Sequence, residues 1–151
     1  MTPAVRPRVI VLVGLPGSGK STWAASQALP TLSSDALRVL LSDDATNQAI
    51  HSRVFATLRY LLRQRLDLAR PVTCIDATNL TPAERRPYIA AARAHDAVAE
   101  AVWFDVPVEL CLERNRARHR VVPEEAVRAM AAKLRPPRVA EGFARIEVVR
   151  P

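Results

Sequence analysis

The sequence has only two cysteines, Cys74 and Cys111, among its 151 residues. Each lies inside an expected strand or helix and not in a paired spacing, which argues against a disulfide framework and against a zinc site. The three histidines are equally scattered and show no metal-binding spacing. We therefore expect two buried thiols and no structural metal.

Long hydrophobic runs are also missing. The longest, Val9 to Val13, is far shorter than the roughly 20 residues of a membrane-spanning helix. Residues 1–8 contain two prolines and two arginines and no apolar stretch of the kind found in a secretory signal. The prediction is a cytoplasmic protein without membrane contact. A composition of 49% hydrophobic and 25% charged residues predicts a single folded domain over residues 1–151.

Lysine and glycine are scarce, and their positions are informative. Only Lys20 and Lys133 are lysines among 22 basic residues, and three of the four glycines lie between positions 14 and 19. The segment Gly14–Ser21 matches the pattern G-x-x-x-x-G-K-[ST]. It follows the β-branched run Arg8–Val13 and precedes an expected helix, which is the context that a phosphate-binding loop (P-loop) requires.

The residue types in this loop suit the binding of a nucleoside triphosphate. Backbone N–H groups at a helix N-terminus can surround phosphate oxygens. Lys20 would place a compact charge on the β- and γ-phosphates, and the Ser21 hydroxyl would bind Mg²⁺. We expect ATP, or another nucleoside triphosphate, with Mg²⁺ or Mn²⁺. The predicted phosphate-binding residues are Gly14, Leu15, Pro16, Gly17, Ser18, Gly19, Lys20, Ser21 and Thr22.

Strand and helix patterns alternate along the chain, which predicts an α/β fold with a central parallel sheet of about five strands flanked by helices. The predicted strands are 8–13, 31–33, 71–76, 97–104 and 143–149. The predicted helices are 19–28, 35–41, 47–69, one that begins with a capping box at Thr81, 107–118 and 123–134. Residues 107–135 would form a small helical lid. Ligands are expected at the carboxyl edge of the sheet.

Two aspartates follow predicted strands. Asp76 could bind the metal directly or through water, but it is followed by Ala77 and not by a second acid. The pattern therefore lacks a pair that positions water, which favours a kinase over a hydrolase. Asp35 and Arg38 lie three apart at a helix start and could share a substrate. The alternative is that Asp35 only complements the helix dipole.

Arginines dominate the predicted lid. Arg114 and Arg118 lie four apart and could offset charge on a migrating phosphoryl group. A solvated arginine face is the alternative, and Arg116 and Arg120 belong to the same run. The net charge of +7 favours a polyanionic partner. The excess of arginine over lysine could also reflect genome composition.

Several segments together resemble the 5′-OH polynucleotide kinase domain of bacterial and phage nucleic-acid repair enzymes. They are Gly14–Thr22, Ser33–Arg38, Leu41–Asp44, Asp76–Asn79, Glu113–Arg118 and Glu141–Phe143. The resemblance implies a P-loop kinase fold and a stand-alone kinase, without the phosphatase and ligase of some members.

The resemblance also implies roles for individual residues. Asp35 would be the general base on the 5′-OH of DNA or RNA, and Arg38 would contact this acceptor. Arg114 and Arg118 would engage the ATP phosphates, with an alternative alignment displaced by two residues. Two other functions stay open: a P-loop kinase of a small metabolite, such as gluconate, shikimate or a sugar nucleotide, and a nucleic-acid-binding nucleotide hydrolase.

Overall fold

The structure is a computed structural model that describes residues 5–118 and 121–151. Its strands are β1 (Arg8–Val13), β2 (Thr31–Ser33), β3 (Val72–Asp76), β4 (Val98–Phe104) and β5 (Arg145–Val149). Its α-helices are α1 (Lys20–Ser26), α2 (Ser34–Ser42), α3 (His51–Asp67), α4 (Pro82–Ala94), α5 (Val108–Arg116) and α6 (Glu124–Lys133), and a short 3-10 helix covers Val139–Glu141.

The five strands form one parallel sheet in the order β2-β3-β1-β4-β5. The central strand β1 pairs with β3 on one side and with β4 on the other, so Val11 lies between Ile75 and Ala101. Because all strands run in the same direction, their carboxyl ends share one edge. The fold class predicted from the sequence is confirmed, and the glycine loop that follows β1 lies at the middle of that edge.

Alternate residues of β1 face the two helical layers. Val9, Val11 and Val13 pack in the larger core with α3 and α4. Ile10 and Leu12 pack on the opposite face with α1 and β4. This period of two places helices on both faces of a strand that is at most 3% exposed from Val9 onward. A rigid central strand therefore supports the loop.

The helix ends differ from the sequence predictions by a few residues. Helix α3 begins at His51 and not near residue 47, because side chains in the preceding segment form local turns. Asp44 accepts a hydrogen bond from the Thr46 N–H (2.9 Å), and Asn47 accepts one from the Ala49 N–H (3.0 Å). Such Asx turns compete with helical hydrogen bonding.

The capping prediction at Thr81 needs a small correction. The Thr81 hydroxyl does accept from the Glu84 N–H (3.3 Å), but the Glu84 carboxylate accepts from the Leu80 N–H (2.8 Å), one residue before the predicted partner. Glu84 still has a structural role in the first turn of α4. Both cysteines are buried, as expected, and burial raises the pKa of the Cys74 thiol to about 12. Over the described ranges, no helix is both long and apolar enough to span a membrane.

Candidate active site

The glycine loop turns through backbone conformations that favour glycine. Gly17 and Gly19 have φ values of +83° and +99°. A Cβ atom on Gly17 would lie 2.5 Å from the backbone carbonyl oxygen of Cys111 in α5. The loop therefore packs directly on the backbone of the predicted lid helix, and glycine is required at position 17 for two reasons, its conformation and this contact.

Lys20 is the first residue of α1 and folds back across the loop. Its ammonium donates to the carbonyl oxygens of Gly14 (3.0 Å) and Leu15 (2.9 Å), and the residue is 9% exposed. Burial lowers the pKa of Lys20 to about 8, although Asp76 and Asp35 act in the opposite direction. A phosphate group on this nitrogen would restore the preference for the charged form.

One polar atom in the loop is buried without a partner. The Ser18 hydroxyl has no hydrogen-bond partner among the described residues. A buried hydroxyl in this state costs roughly 1–3 kcal/mol. The same loop is tied to the segment after β3, since the Gly14 N–H donates to the Thr78 carbonyl (3.0 Å). An unsatisfied hydroxyl beside left-handed glycines fits a loop shaped for an anionic ligand.

Ser21 and Asp76 meet beside the loop. The Ser21 hydroxyl donates to the Asp76 carboxylate across 2.7 Å, and Asp76 ends β3 at 7% exposure. Hydroxyl and carboxylate oxygens suit Mg²⁺, which usually takes one or two protein ligands and completes its shell with phosphate and water. The two predicted metal residues are therefore adjacent, and they would hold this ion.

A cavity of about 540 Å³ opens over the loop. Arg114 and Arg118 line it opposite the glycines. The Arg114 guanidinium would lie 3.8 Å from a Cβ on Gly19. Arg116 instead forms an ion pair with Glu124 (3.9 Å). Arg120 of the alternative alignment lies outside the described residues.

The far end of this cavity was not predicted. It is lined by Trp23, Phe104, Val106 and the segment 149–151. The rings of Trp23 and Phe104 meet edge to face at 5.9 Å. The aromatic end and the volume suit a nucleobase, and cavities of about 300–1,000 Å³ are typical for such ligands. These residues come from three separate segments, so no local sequence signal could have identified them.

Asp35 lies in the first turn of α2 and contacts Arg118, a residue that lines the cavity, although Asp35 itself is not part of the lining. The Ser33 side chain caps this helix by accepting from the Ala36 N–H (3.1 Å). The Asp35 carboxylate is 3.9 Å from the Arg118 guanidinium, and its side chain is 58% exposed. The structure thus brings the predicted base and one predicted lid arginine together.

Arg38 has different surroundings from Asp35, although the two lie three apart. It is 5% exposed and donates to the Asn47 carbonyl (2.7 Å) and to His51 Nδ1 (3.4 Å). Its Nε is buried without a partner among the described residues. A guanidinium can only donate, so His51 Nδ1 is the acceptor. Arg38 therefore fixes the segment between α2 and α3, and it is absent from the lining of the nucleotide cavity.

A buried arginine that the sequence analysis did not single out fixes the loop after β3. Arg85 is fully buried and donates to the Asn79 carbonyl (2.8 Å) and to both carboxylate oxygens of Glu141 (2.8 and 2.9 Å). Asn79 in turn donates to the Leu12 carbonyl (2.7 Å). This network joins the carboxyl ends of β1 and β3. The capping pattern at Thr81 predicted the helix but gave no sign of the partner 56 residues away.

Comparison with known proteins places the chain in a family. L-seryl-tRNA(Sec) kinase of Methanococcus maripaludis is 24% identical in an alignment of 136 residues that covers 85% of this chain and 53% of that protein. A chain of the Pnkp1/Rnl/Hen1 RNA repair complex superposes with a TM-score of 0.75 at 22% identity, over 87% of this chain and 45% of that chain. A gluconokinase from Sinorhizobium meliloti 1021 superposes with a TM-score of 0.64 at 20% identity, over 97% and 84%.

The chain thus spans about half the length of the seryl-tRNA kinase and of the repair-complex chain. The superpositions establish a P-loop kinase fold. A family model described as an AAA domain matches residues 9–137. This range includes the whole glycine loop, both predicted lid arginines and four of the five strands, so the chain belongs to this AAA-domain family of P-loop proteins.

Proposed function

We propose that this chain is an ATP-dependent kinase that transfers the γ-phosphoryl group of ATP to the 5′-hydroxyl end of DNA or RNA. One observation carries the proposal. Asp35 lies 3.9 Å from Arg118, which lines the same cavity as the P-loop. Transfer to a hydroxyl needs a carboxylate that accepts the proton and a cation beside the triphosphate.

The residues of the site divide the reaction between them. Lys20 and the loop N–H groups hold the donor phosphates, and Mg²⁺ on Ser21 and Asp76 would neutralise charge on the phosphate oxygens. Asp35 accepts the proton of the acceptor hydroxyl. The hydroxyl oxygen bonds to the γ-phosphorus as the bond to the bridging oxygen breaks, and ADP leaves with that electron pair. Arg114 and Arg118 offset the charge that develops in between.

The alternative of a nucleotide hydrolase has less support. Hydrolysis needs a group that positions water against the γ-phosphate. The residue after Asp76 is Ala77, which is 5% exposed and cannot do so. The half-exposed Asp35 instead stands where a large acceptor could reach it.

The choice of a polynucleotide over a small metabolite rests on charge and on relatives. The net charge of +7 favours a polyanion. One relative is named as an L-seryl-tRNA(Sec) kinase and one structural neighbour belongs to an RNA repair complex, whereas another neighbour is named as a gluconokinase. Because the fold is also similar to that gluconokinase, transfer to a small metabolite is the second candidate function.

One labelling experiment tests the proposal. Wild type, Asp35→Asn and the control Glu125→Gln, an exposed acid on α6, are incubated with γ-labelled ATP and a panel of acceptors. The panel contains 5′-OH oligonucleotides of DNA and RNA, gluconate and shikimate. We expect labelled oligonucleotides, a loss of about 10²- to 10⁴-fold in Asp35→Asn and no loss in Glu125→Gln. The ATP affinity of both variants should differ from that of wild type by less than about threefold, because ATP binding does not use the general base.

The other outcomes identify the rival functions. Label on gluconate or shikimate, without label on oligonucleotides, means a small-metabolite kinase. Released phosphate that oligonucleotides stimulate, with no labelled acceptor, means a hydrolase. Undiminished transfer by Asp35→Asn removes Asp35 from the role of base.

A further inference from the structure

A second cavity, of about 560 Å³, lies between α3, α4 and α6. It shares no lining residue with the nucleotide cavity in the described part of the chain. Its volume is in the range of about 300–1,000 Å³ that suits a small ligand or one unit of a polymer. The six residues that characterise its walls are His51, Phe55, Arg59, Tyr88, Met130 and Lys133.

This cavity is connected to the reaction centre at two points. Thr78 lines it and accepts a hydrogen bond from Gly14, the first residue of the P-loop. His51 lines it and accepts one from Arg38, which stands three residues after Asp35 in α2. The wall of the second cavity is therefore attached to the phosphate loop on one side and to the helix of the predicted base on the other.

The walls combine flat rings with apolar groups. The rings of His51 and Phe55 lie 4.7 Å apart at 44°, and Tyr88 and Met130 are the other large groups. Burial raises the pKa of Tyr88 to about 12, so its hydroxyl keeps its proton at neutral pH. Rings of this kind bind the π-face of a base without selecting its identity.

Cations stand beside the rings. Arg59 is half-buried, and Lys133 is 60% exposed in an ion pair with Glu84 at 3.2 Å. Arg59 comes from α3 and Lys133 from α6, and Glu84, the partner of Lys133, lines the same cavity.

We propose that the second cavity binds a nucleoside unit of the 5′-OH strand, with its base on the rings of His51 and Phe55 and a phosphate near Arg59 and Lys133. The inference rests on the proposed function and names the part of the acceptor that this surface recognises. Arg38 then acts as a positioning residue, because it fixes His51 and not the substrate itself.

A cavity-filling variant tests this site. Ala129 is an exposed residue of α6 that lines the cavity, and Ala132, three residues later, is exposed and outside its lining. Ala129→Trp should weaken the binding of a 5′-OH tetranucleotide at least tenfold by calorimetry without ATP. Ala132→Trp should change it less than twofold, and both should bind ATP like wild type. Ser52→Trp fills the cavity from α3 and gives a second variant if Ala129→Trp does not fold.

The outcomes separate this inference from the proposed function. Equal tetranucleotide binding by the filled variants and by Ala132→Trp overturns the site, even if wild type labels oligonucleotides. If wild type labels only a small metabolite, the proposed function fails. The nucleoside site then stands only if wild type still binds the tetranucleotide and the filled variants bind it more weakly. Absence of tetranucleotide binding by wild type overturns the site, and the labelling experiment alone decides the proposed function.

Discussion

Among single residues, Lys20 carries the clearest pH dependence. Burial holds its pKa at about 8 in the nucleotide-free protein, well below the ordinary 10.5. Phosphate binding requires the charged ammonium, so above pH 8 binding must take up a proton. Between pH 7 and pH 9 the ATP dissociation constant should rise about tenfold, since the charged fraction falls by that factor. Titration calorimetry at both pH values, in buffers of different ionisation enthalpy, measures the constant and the proton uptake.

The control for this titration is Lys20→Met, which removes the group. This variant should bind ATP weakly, with a dissociation constant that does not change over the same pH range. The phosphates of ATP have already lost their protons above pH 7, because their last pKa is about 6. A wild-type constant that stays level from pH 7 to pH 9 would show that Lys20 keeps its charge in the free protein.

Gly17 is the residue at which the loop tolerates no side chain. Gly17→Ala adds a Cβ at φ +83° and 2.5 Å from the Cys111 carbonyl. We expect a loss of about 2–4 kcal/mol in the free energy of unfolding, from backbone strain and from the displaced contact. Thermal denaturation should show a fall of roughly 5–15 °C in Tm for a domain of this size.

Ser18→Ala is the matched variant in the same loop. It removes a buried hydroxyl without a partner, so Tm should stay unchanged or rise. An unchanged Tm in Gly17→Ala would mean that the loop and α5 separate at little cost.

The sequence reveals the contacts of a residue only where its partners are close along the chain. Lys20 bonds to carbonyls five and six residues earlier, and the motif contains all of these positions. Arg38 shows the limit. Its spacing from Asp35 is visible in the sequence, but its partners, Asn47 and His51, depend on Asx turns that delay α3.

At the scale of secondary structure elements, the pair Arg85–Glu141 joins α4 to the 3-10 helix before β5. Burial favours the neutral carboxyl, but hydrogen bonds from Arg85 and from the Arg138 N–H outweigh it and lower the pKa of Glu141 below 4.5. Glu141→Gln leaves the fully buried Arg85 without a counter-charge. We expect a loss of about 3–5 kcal/mol in the free energy of unfolding at pH 7, measured with urea.

The pH dependence of this pair has a defined sign. A carboxylate with a lowered folded-state pKa stabilises the protein above the unfolded pKa, and this contribution disappears as pH falls through the folded value. The difference between wild type and Glu141→Gln should therefore shrink below about pH 4.5. Glu109→Gln breaks an exposed pair with Arg128 and serves as control, with little expected change in the free energy of unfolding. A comparable loss in both variants would contradict the importance of burial.

The elements themselves were more predictable than the contacts between them. The run Arg8–Val13 predicted β1 with its observed bounds, because a strand buried on both faces consists of consecutive apolar residues. The aromatic end of the nucleotide cavity combines α1, the end of β4 and the last residues of the chain. Which elements meet at this end depends on the order of the strands in the sheet. The periodicity of the sequence does not reveal that order.

At the scale of the whole molecule, the sheet places both cavities along its carboxyl edge, and cations line each of them. Arg59 and Lys133 lie at the second cavity, and Arg114 and Arg118 lie at the first. A strand that crosses from one to the other would release counterions in proportion to its phosphate contacts. For about three contacts to a single strand, the apparent KM for an oligonucleotide should rise roughly twentyfold between 50 and 200 mM salt.

Removing charge at the second cavity should reduce this salt dependence. The double variant Arg59→Gln, Lys133→Gln should leave about one contact, and its KM should rise only about threefold over the same salt range. The matched control Arg70→Gln, Arg145→Gln removes two exposed charges near the amino ends of β3 and β5. Because these charges are at the opposite edge of the sheet, the control should keep the wild-type slope. Equal slopes for the two double variants would mean that the net charge of +7 acts as a diffuse field and that the strand follows no defined path between the cavities.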